Sequence, residues 1–158
     1  MSKIGDVKIK LHRPIKGAIK TLTIKRENGQ WYACFSVVVP LQPLPPNDWA
    51  VGIDVGLSWF AVLSDGTEIE NPRLLAKQQK RLRRAQRRAA RRKKFSRRWK
   101  KAVRMVAKIH RRVFNQRNDF HHKLSREIVN HYGLIAVENL NVAGLARGML
   151  SRSVHDAG

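Results

Sequence analysis

The sequence predicts an α+β protein: short strands, then a long basic helical hairpin, then one more strand and a helix. Three observations lead to this prediction. Within residues 1–40, two short segments alternate apolar and polar side chains, which is the period of a strand. Residues 73–94 and the segment after them repeat apolar side chains every three or four positions, which is the period of a helix. Two short apolar runs, one on each side of the helical region, end in a carboxylate.

The first part of the chain is expected to be β-structure. Residues 7–11 and 19–24 alternate, Asn28-Gly29 is typical of a tight hairpin turn, and residues 31–39 are aromatic and β-branched. Four prolines follow within seven residues, and proline favours an extended linker because it lacks a backbone donor. We therefore predict three segments: a β domain in 1–40, a linker in 41–48 and a second domain in 49–158.

The strands of the second domain are predicted from short apolar runs. Residues 50–54, 60–63 and 67–69 are separated by turn residues and predict a three-stranded meander. Residues 134–137 are continuously apolar, which predicts a strand covered on both faces. A right-handed crossover through the helices would set this fourth strand parallel to the first.

The helices are predicted from apolar stripes and end signals. Asn71 before Pro72 predicts a capped helix start, and residues 93–97 are the expected turn of the hairpin. The second helix is expected to end before Gly133, and Asn141 to cap a last helix. His110 falls on the apolar stripe and is expected in the core. The polar segment 115–122 either lines a nucleic-acid channel or kinks the helix.

Asp54 and Glu138 are the candidate catalytic and metal-binding residues. Each follows an apolar strand pattern, and parallel neighbouring strands would place their ends about 5 Å apart. Two such carboxylates can hold Mg²⁺ or Mn²⁺ for phosphodiester hydrolysis. The residues alone leave a structural alternative open, in which Asp54 caps a turn and Glu138 pairs with an arginine. The Gly52–Gly56 segment also resembles the phosphate loop of actin-like ATPases, although Leu57 replaces the usual Thr or Ser.

Composition restricts the partners. The formal charge is +22, from 33 Lys+Arg against 11 Asp+Glu, and such an excess favours a polyanionic partner. Nucleic acid fits this better than an anionic membrane surface. No apolar run is long enough for a membrane span, and the start lacks a signal peptide. Cys34 is the only cysteine, so neither a disulfide framework nor a cysteine-based zinc site is expected.

The strongest charge signal lies in the predicted hairpin. Residues 77–104 contain sixteen Lys or Arg and no acid, whereas a merely solvated helix usually mixes both signs. This pattern predicts contacts with a phosphate backbone rather than with particular bases. Arg117 and His121 are further candidates in the polar segment. The candidate nucleic-acid-binding residues of the hairpin are Lys77, Lys80, Arg81, Arg84, Arg87, Arg88, Arg91, Arg92, Arg97 and Arg98.

Several motifs occur together in this chain. They are Gly52-Ile-Asp-Val-Gly56, the basic hairpin, residues 115–125, residues 137–142, His12-Arg-Pro14 and Trp31-Tyr-Ala-Cys34. Together they resemble one family, the OrfB/TnpB proteins of bacterial insertion sequences, which are related to type V CRISPR effectors. The resemblance covers nearly the whole chain. Residues 5–40 resemble the later part of the family's wedge β-barrel domain, and residues 49–158 resemble the first two-thirds of its RuvC domain, which has an RNase H-like fold.

The resemblance implies an RNA-guided DNA endonuclease of transposons. Guide RNA and target DNA would be its partners, and Mg²⁺ held by carboxylates would support cleavage. Asp54 and Glu138 match the first and second catalytic carboxylates of the family. A cytoplasmic location in a bacterium or archaeon is expected.

The chain also departs from the family pattern. The family's third catalytic aspartate and its zinc ribbon are absent, and Asp156 does not match that third motif. We therefore expect a truncated chain with an incomplete RuvC site, inactive alone unless a second chain supplies the rest. The alternatives are a non-catalytic RNA- or DNA-binding remnant and, more remotely, a fragment of an actin-like ATPase.

Overall fold

A computed structural model describes residues 5–27, 29–40, 42–148 and 151–157. The chain forms two compact units, Met1–Pro43 and Leu44–Gly158. Strands and helices together make a mixed α+β protein, as the sequence predicts.

The first unit contains a two-stranded antiparallel sheet. Strand β1 (Ala18–Glu27) pairs with β2 (Gln30–Val38), with a register shift between Ile19 and Thr21. Asn28 of the predicted turn lies outside the described residues. The prediction of a strand at residues 7–11 was wrong, because this segment pairs with no strand among the residues that the structure describes. An alternating pattern records side-chain polarity, but a strand also needs a neighbour for its backbone groups.

The second unit is built on a four-stranded sheet. Its strands are β3 (Ala50–Val55), β4 (Trp59–Leu63), β5 (Glu68–Glu70) and β6 (Leu134–Val137). Their order is β5-β4-β3-β6, with β6 parallel to β3 and the other neighbours antiparallel. The predicted meander and the parallel fourth strand are therefore confirmed.

Strand β6 lies at the edge of this sheet, and the prediction that it is covered on both faces was wrong. Leu134 is 66% exposed and Val137 is 68% exposed. A continuously apolar run indicates a strand, but it does not say whether neighbouring elements cover it.

A helical hairpin connects β5 to β6. Helix α1 (Leu74–Ala90) packs against α2 (Arg97–His131) through a cluster of Leu82, Ala85 and Ile109. Helix α1 ends at Ala90 and not at residue 94, because residues 91–96 already form the turn that leads into α2. Helix α2 runs as one element through residues 115–122.

The start of α1 differs from the prediction. The side chain of Asn71 accepts a hydrogen bond from the Arg73 backbone at 3.0 Å, but the helix begins only at Leu74. Arg73 precedes the helix in a left-handed conformation and its side chain makes no capping bond. Instead, the Asp156 carboxylate accepts from the backbone N–H groups of Leu75 and Ala76, at 2.6 and 3.1 Å. Helix α1 is therefore capped from a distant part of the chain.

Asp156 belongs to the last helix of the structure. Helix α3 (Val142–Leu145) comes first and is capped by Asn141, whose side chain accepts from Gly144 N at 2.9 Å. The predicted cap is confirmed, but the capped helix is not the last one, because α4 follows it. Helix α4 (Ser151–Ala157) then brings Asp156 to the start of α1. A carboxylate there also interacts favourably with the positive end of the helix dipole.

Replacing Asp156 with alanine should therefore destabilise the second unit by about 1 kcal/mol, because two backbone donors lose their acceptor. Asp156→Asn should cost less, since the amide oxygen can still accept one hydrogen bond. The free energy of unfolding in urea measures both effects. The matched control is Asp119→Ala, which removes only an exposed pair with Lys123 and should cost less than about 0.5 kcal/mol. Equal losses at both positions would contradict the capping role.

The C-terminal end of α2 is hydrogen-bonded to the turn between β4 and β5. The Tyr132 hydroxyl donates a hydrogen bond to the Asp65 carboxylate. This bond, together with one from the backbone of Thr67, lowers the pKa of Asp65, and the same bond raises the pKa of Tyr132. Phe60 of β4 also meets Phe120 of α2 edge to face, with ring centroids 5.0 Å apart. These contacts fix the C-terminal half of α2 against the sheet.

Candidate carboxylate site and nucleic-acid interface

Asp54 lies on β3, and Glu138 directly follows β6, the parallel neighbour of β3. Ile53 of β3 is paired with Val137 of β6, and the two carboxylates are the next residues of each chain segment. Adjacent strands are about 4.8 Å apart, and residues at the same register point to the same face of a sheet. The structure therefore brings together the two predicted site residues.

Asp54 lies on the face of the sheet opposite to the one that α2 packs against. Along β3, Val51 is buried and Ile53 is half-buried, whereas Gly52 and Asp54 alternate to the opposite face. Leu63 and Ile69 line a cleft with Phe120 and Leu124 of α2, which identifies the covered face.

Both carboxylates are exposed, and among the described residues neither is held in an ion pair. The arginine partner that the sequence left open for Glu138 is therefore not observed in the described part of the chain. Carboxylate oxygens on adjacent strands suit a hard divalent cation that keeps water in its remaining positions. Within the described residues, no cluster of three or more His, Cys, Asp or Glu side chains could hold a metal ion. Among the described residues, the carboxylate donors at this position are thus a pair.

The relative position of β3 and β6 depends on a close backbone approach at Gly133. A Cβ atom on this residue would lie 1.6 Å from the backbone oxygen of Asn47. Gly133 N donates to Trp49 O at 2.9 Å, and the Asn47 side chain donates to His131 O at 2.6 Å. Gly133 does follow the end of α2, as predicted, but its φ is not positive, so steric space and not left-handed backbone requires glycine here.

A second set of contacts fixes β3 against β4. Ser64 N donates to Gly52 O at 2.9 Å, and Gly52 N donates to the Ser64 hydroxyl at 3.0 Å. Strand β3 is held on both sides directly before Asp54, so the position of its carboxylate is determined by the sheet.

The basic surface of the hairpin is continuous along α1. Leu82 and Ala85 are buried against α2, and from residue 80 onward the opposite side of the helix carries exposed cationic residues. We call this set the outer stripe: Lys80, Arg84, Arg87 and Arg91. At 1.5 Å per residue the stripe extends over about 16 Å, a length that spans several phosphates of a nucleic-acid strand. Lys77, Arg81, Arg88, Arg92, Arg97 and Arg98 are exposed as well.

The acidic residues are concentrated elsewhere in the second unit. A cleft between β5 and the C-terminal half of α2 is lined by four of them: Glu68, Glu70, Asp119 and Glu127. Because like-signed groups are separated in this way, the hairpin is the part of the unit that attracts a polyanion most strongly.

Arg117 and His121 are half-buried and not part of the outer surface. The His121 ring lies 5.4 Å from that of Phe60, and its Nε2 is 3.0 Å from the Ala157 carbonyl oxygen. The structure thus places His121 between β4 and α4. The prediction of a packed core position for His110 was wrong, since its side chain is exposed beside the buried Ile109.

Sequence reasoning missed two features of this region. The first is that Asp156 caps α1. Because Asp156 is distant from α1 in sequence, the residues around the start of the helix do not indicate this role. Phe95 at the hairpin tip is 76% exposed and has a φ of 64°. A non-glycine residue with positive φ between runs of Lys and Arg is visible only in the structure.

A basic patch on one element is the electrostatic signature of nucleic-acid-binding proteins, and paired carboxylates can hold a divalent metal ion. The chain belongs to the OrfB_IS605 family, described as "Probable transposase", whose match covers residues 17–149. The resemblance to OrfB/TnpB proteins is thereby confirmed at the level of the family.

Curated relatives carry related names. The chain is 31% identical over 148 residues to "Putative RNA-guided DNA endonuclease InsQ" of Escherichia coli K12. It is 36% identical over 139 residues to a "Putative RNA-guided DNA endonuclease" of Streptomyces pristinaespiralis, and 34% identical over 142 residues to one of Mycobacterium tuberculosis. These matches cover 93%, 87% and 84% of this chain, but only 37%, 35% and 30% of the relatives. The chain therefore spans about a third of the length of these relatives.

In the described part of the chain, none of the helices combines the length and the apolar character that crossing a membrane requires.

Proposed function

We propose that this chain is the RuvC-like, carboxylate-bearing part of an RNA-guided DNA endonuclease encoded by a transposon. The observation that carries the proposal is the parallel register that sets Asp54 beside Glu138 on an open sheet face. In this proposal, residues 1–40 are part of a wedge domain, 41–48 are a linker and 49–158 have an RNase H-like fold. The relatives are bacterial proteins, and we place the function in the bacterial cytoplasm.

The proposed chemistry is phosphodiester hydrolysis at the two carboxylates. Asp54 and Glu138 would hold Mg²⁺ or Mn²⁺ through their oxygens. When bound, the metal supplies an activated water and stabilises the leaving oxygen. The residues of this chain contribute position: Gly133 and Asn47 set the register of β6, and Ser64 fixes β3 directly before Asp54.

The proposed partners are guide RNA and target DNA. The outer stripe presents positive charge and no hydrogen-bond acceptors. Such a surface suits contacts with a phosphate backbone, and these contacts do not distinguish one base sequence from another. An RNA–DNA duplex, recognised by its shape and backbone, fits this surface.

A second candidate function is nucleic-acid binding without cleavage. It is favoured by the donor set, because the described residues offer two carboxylates and no cluster of three ligating side chains. If a second chain supplied further metal ligands, the completed site could support cleavage, which is the first candidate function.

The metal site can be tested without any catalytic activity. Titration with Mn²⁺ should broaden the amide NMR signals of Gly52–Asp54 and Ala136–Glu138 first, because paramagnetic broadening decreases steeply with distance. Asp54→Asn and Glu138→Gln should each weaken Mn²⁺ binding at least about tenfold, since each removes one of two charged ligands. Glu127→Gln, which removes an exposed carboxylate of α2, is the control and should leave binding unchanged. Broadening centred on Glu127 or Glu68 would show that the cation prefers the acidic cleft.

The two candidate functions differ in a cleavage assay. The polypeptide of these 158 residues, with Mg²⁺, guide RNA and matching DNA, should bind but cut little, because two carboxylates leave the metal coordination incomplete. Robust cutting that Asp54→Ala abolishes would show that the pair suffices. Hydrolysis of ATP in the absence of nucleic acid would instead support an actin-like ATPase.

A further inference from the structure

The tip of the helical hairpin carries an exposed aromatic ring. Phe95 lies between α1 and α2 and is 76% exposed. Its ring centroid is 5.5 Å from that of Trp99, on the first turn of α2. Ser96, between them in sequence, caps α2 by accepting a hydrogen bond from Trp99 N at 3.1 Å. The cap therefore holds the two rings together at the tip.

The backbone at this position does not favour phenylalanine. Phe95 has a φ of 64°, a region that bulky side chains seldom adopt and that Gly or Asn adopts at lower cost. Because the ring is mostly exposed, burial offsets little of this cost. A strained residue with an exposed ring indicates a role outside the packing of the unit itself.

The surroundings of the ring define its partner. Six of the eight residues at positions 91–98 are Lys or Arg, and none is acidic. An aromatic ring surrounded by Lys and Arg side chains matches the chemistry of a nucleotide. The base can stack on the ring, and the cations can neutralise the phosphate. A base within a continuous duplex is already stacked on both sides, so an unpaired base is the better ligand for the ring.

We propose that Phe95 is a stacking platform for an unpaired nucleobase at the tip of the hairpin. This inference rests on the proposed function, because it assumes that the hairpin binds nucleic acid. It adds a specific element to that function: the outer stripe follows the backbone, and the tip contacts a base where pairing ends. The stripe ends at Arg91, four residues before Phe95, so the backbone contacts lead directly to the tip.

Fluorescence anisotropy with the 158-residue protein can test the proposal. The three probes are a continuous duplex, the same duplex with a four-nucleotide single-stranded gap, and the gapped duplex with abasic sites in the gap. The wild-type protein should prefer the base-containing gap over the abasic gap by about 5- to 150-fold, the range expected for one stacked base. Phe95→Ala should abolish this preference without changing affinity for the continuous duplex or its salt dependence. Phe95→Tyr should retain the preference.

The matched control is Phe114→Ala. Phe114 is another exposed phenylalanine, at 57%, on α2 and away from the tip. Its replacement should leave all three affinities unchanged. Phe95→Asn adds a readout of strain: it should lose the preference while its melting temperature stays equal or rises, because Asn adopts positive φ more readily.

The outcomes separate the inference from the proposed function. If Phe95→Ala keeps the preference for the base-containing gap, the stacking role is wrong and the ring is available to a protein partner. If Phe95→Ala weakens all three probes equally, Phe95 is structural and the inference fails as well. If the wild-type protein binds none of the probes, the proposed function itself fails.

Discussion

Replacing the outer stripe with glutamine (Lys80, Arg84, Arg87 and Arg91 together) should lower affinity for a 20-base-pair RNA–DNA duplex by about 10³-fold at 0.1 M salt. Each cation that neutralises a phosphate releases a counterion, which contributes a slope of about −0.9 in log affinity against log salt. Four lost contacts should therefore reduce the slope by about 3 to 4. Anisotropy titrations at several salt concentrations measure both quantities.

Stability is not expected to fall in this variant. The four side chains are exposed, and like charges at i,i+4 destabilise a helix, so glutamine relieves repulsion within α1. The control is a variant with the same loss of charge in the first unit, in which Lys8, Lys10, Lys16 and Lys20 become glutamine. It should lose less than about tenfold in affinity for this duplex. Equal losses in both variants would show that net charge alone, and not the hairpin surface, drives binding.

Gly133→Ala should be the most destabilising single substitution considered. The new Cβ would lie 1.6 Å from Asn47 O, which is a backbone atom and not the end of a flexible side chain. The chain must therefore move at the point where β6 enters the sheet. We expect a loss of about 3 kcal/mol in the free energy of unfolding, the upper end of the usual range for substitutions that force overlap in a packed region.

The substitution should also disturb the carboxylate pair. If β6 shifts against β3, Glu138 no longer lies beside Asp54, and Mn²⁺ binding should weaken in any protein that remains folded. Gly52→Ala is the matched control in the same pair of strands, because its Cβ would meet only the Ser64 side chain at an ordinary 3.7 Å. It should be neutral or slightly stabilising. A neutral Gly133→Ala would show that the Asn47 segment yields easily and does not fix the register.

The sequence predicted the elements whose pattern is long or whose topology is constrained. The apolar stripe from Trp99 to Ile128 is long enough to identify α2 as one helix. The right-handed crossover rule then sets β6 parallel to β3 and brings Asp54 beside Glu138, as the structure has it. Both results follow from periodicity and chain connectivity, which a single sequence contains.

The features that sequence reasoning missed depend on contacts between distant residues. The bonds from Leu75 and Ala76 to Asp156 join positions about eighty residues apart, and no local pattern announces them. The requirement for glycine at position 133 comes from Asn47, and the exposure of β6 comes from its place at the edge of the sheet. His110 differs from its buried neighbour Ile109 by one position, a rotation of 100° that an approximate stripe does not resolve.

The parallel pairing of β3 with β6 has a consequence for the order of folding. Ile53 meets Val137 only after the chain has passed through the whole hairpin, whereas α1 and α2 meet through local contacts near their shared turn. Local helical contacts form in microseconds, and pairings that close long loops form later. The carboxylate pair is thus expected to be among the last features to assemble. A newly made chain would expose its cationic helices to nucleic acid before its candidate metal site exists.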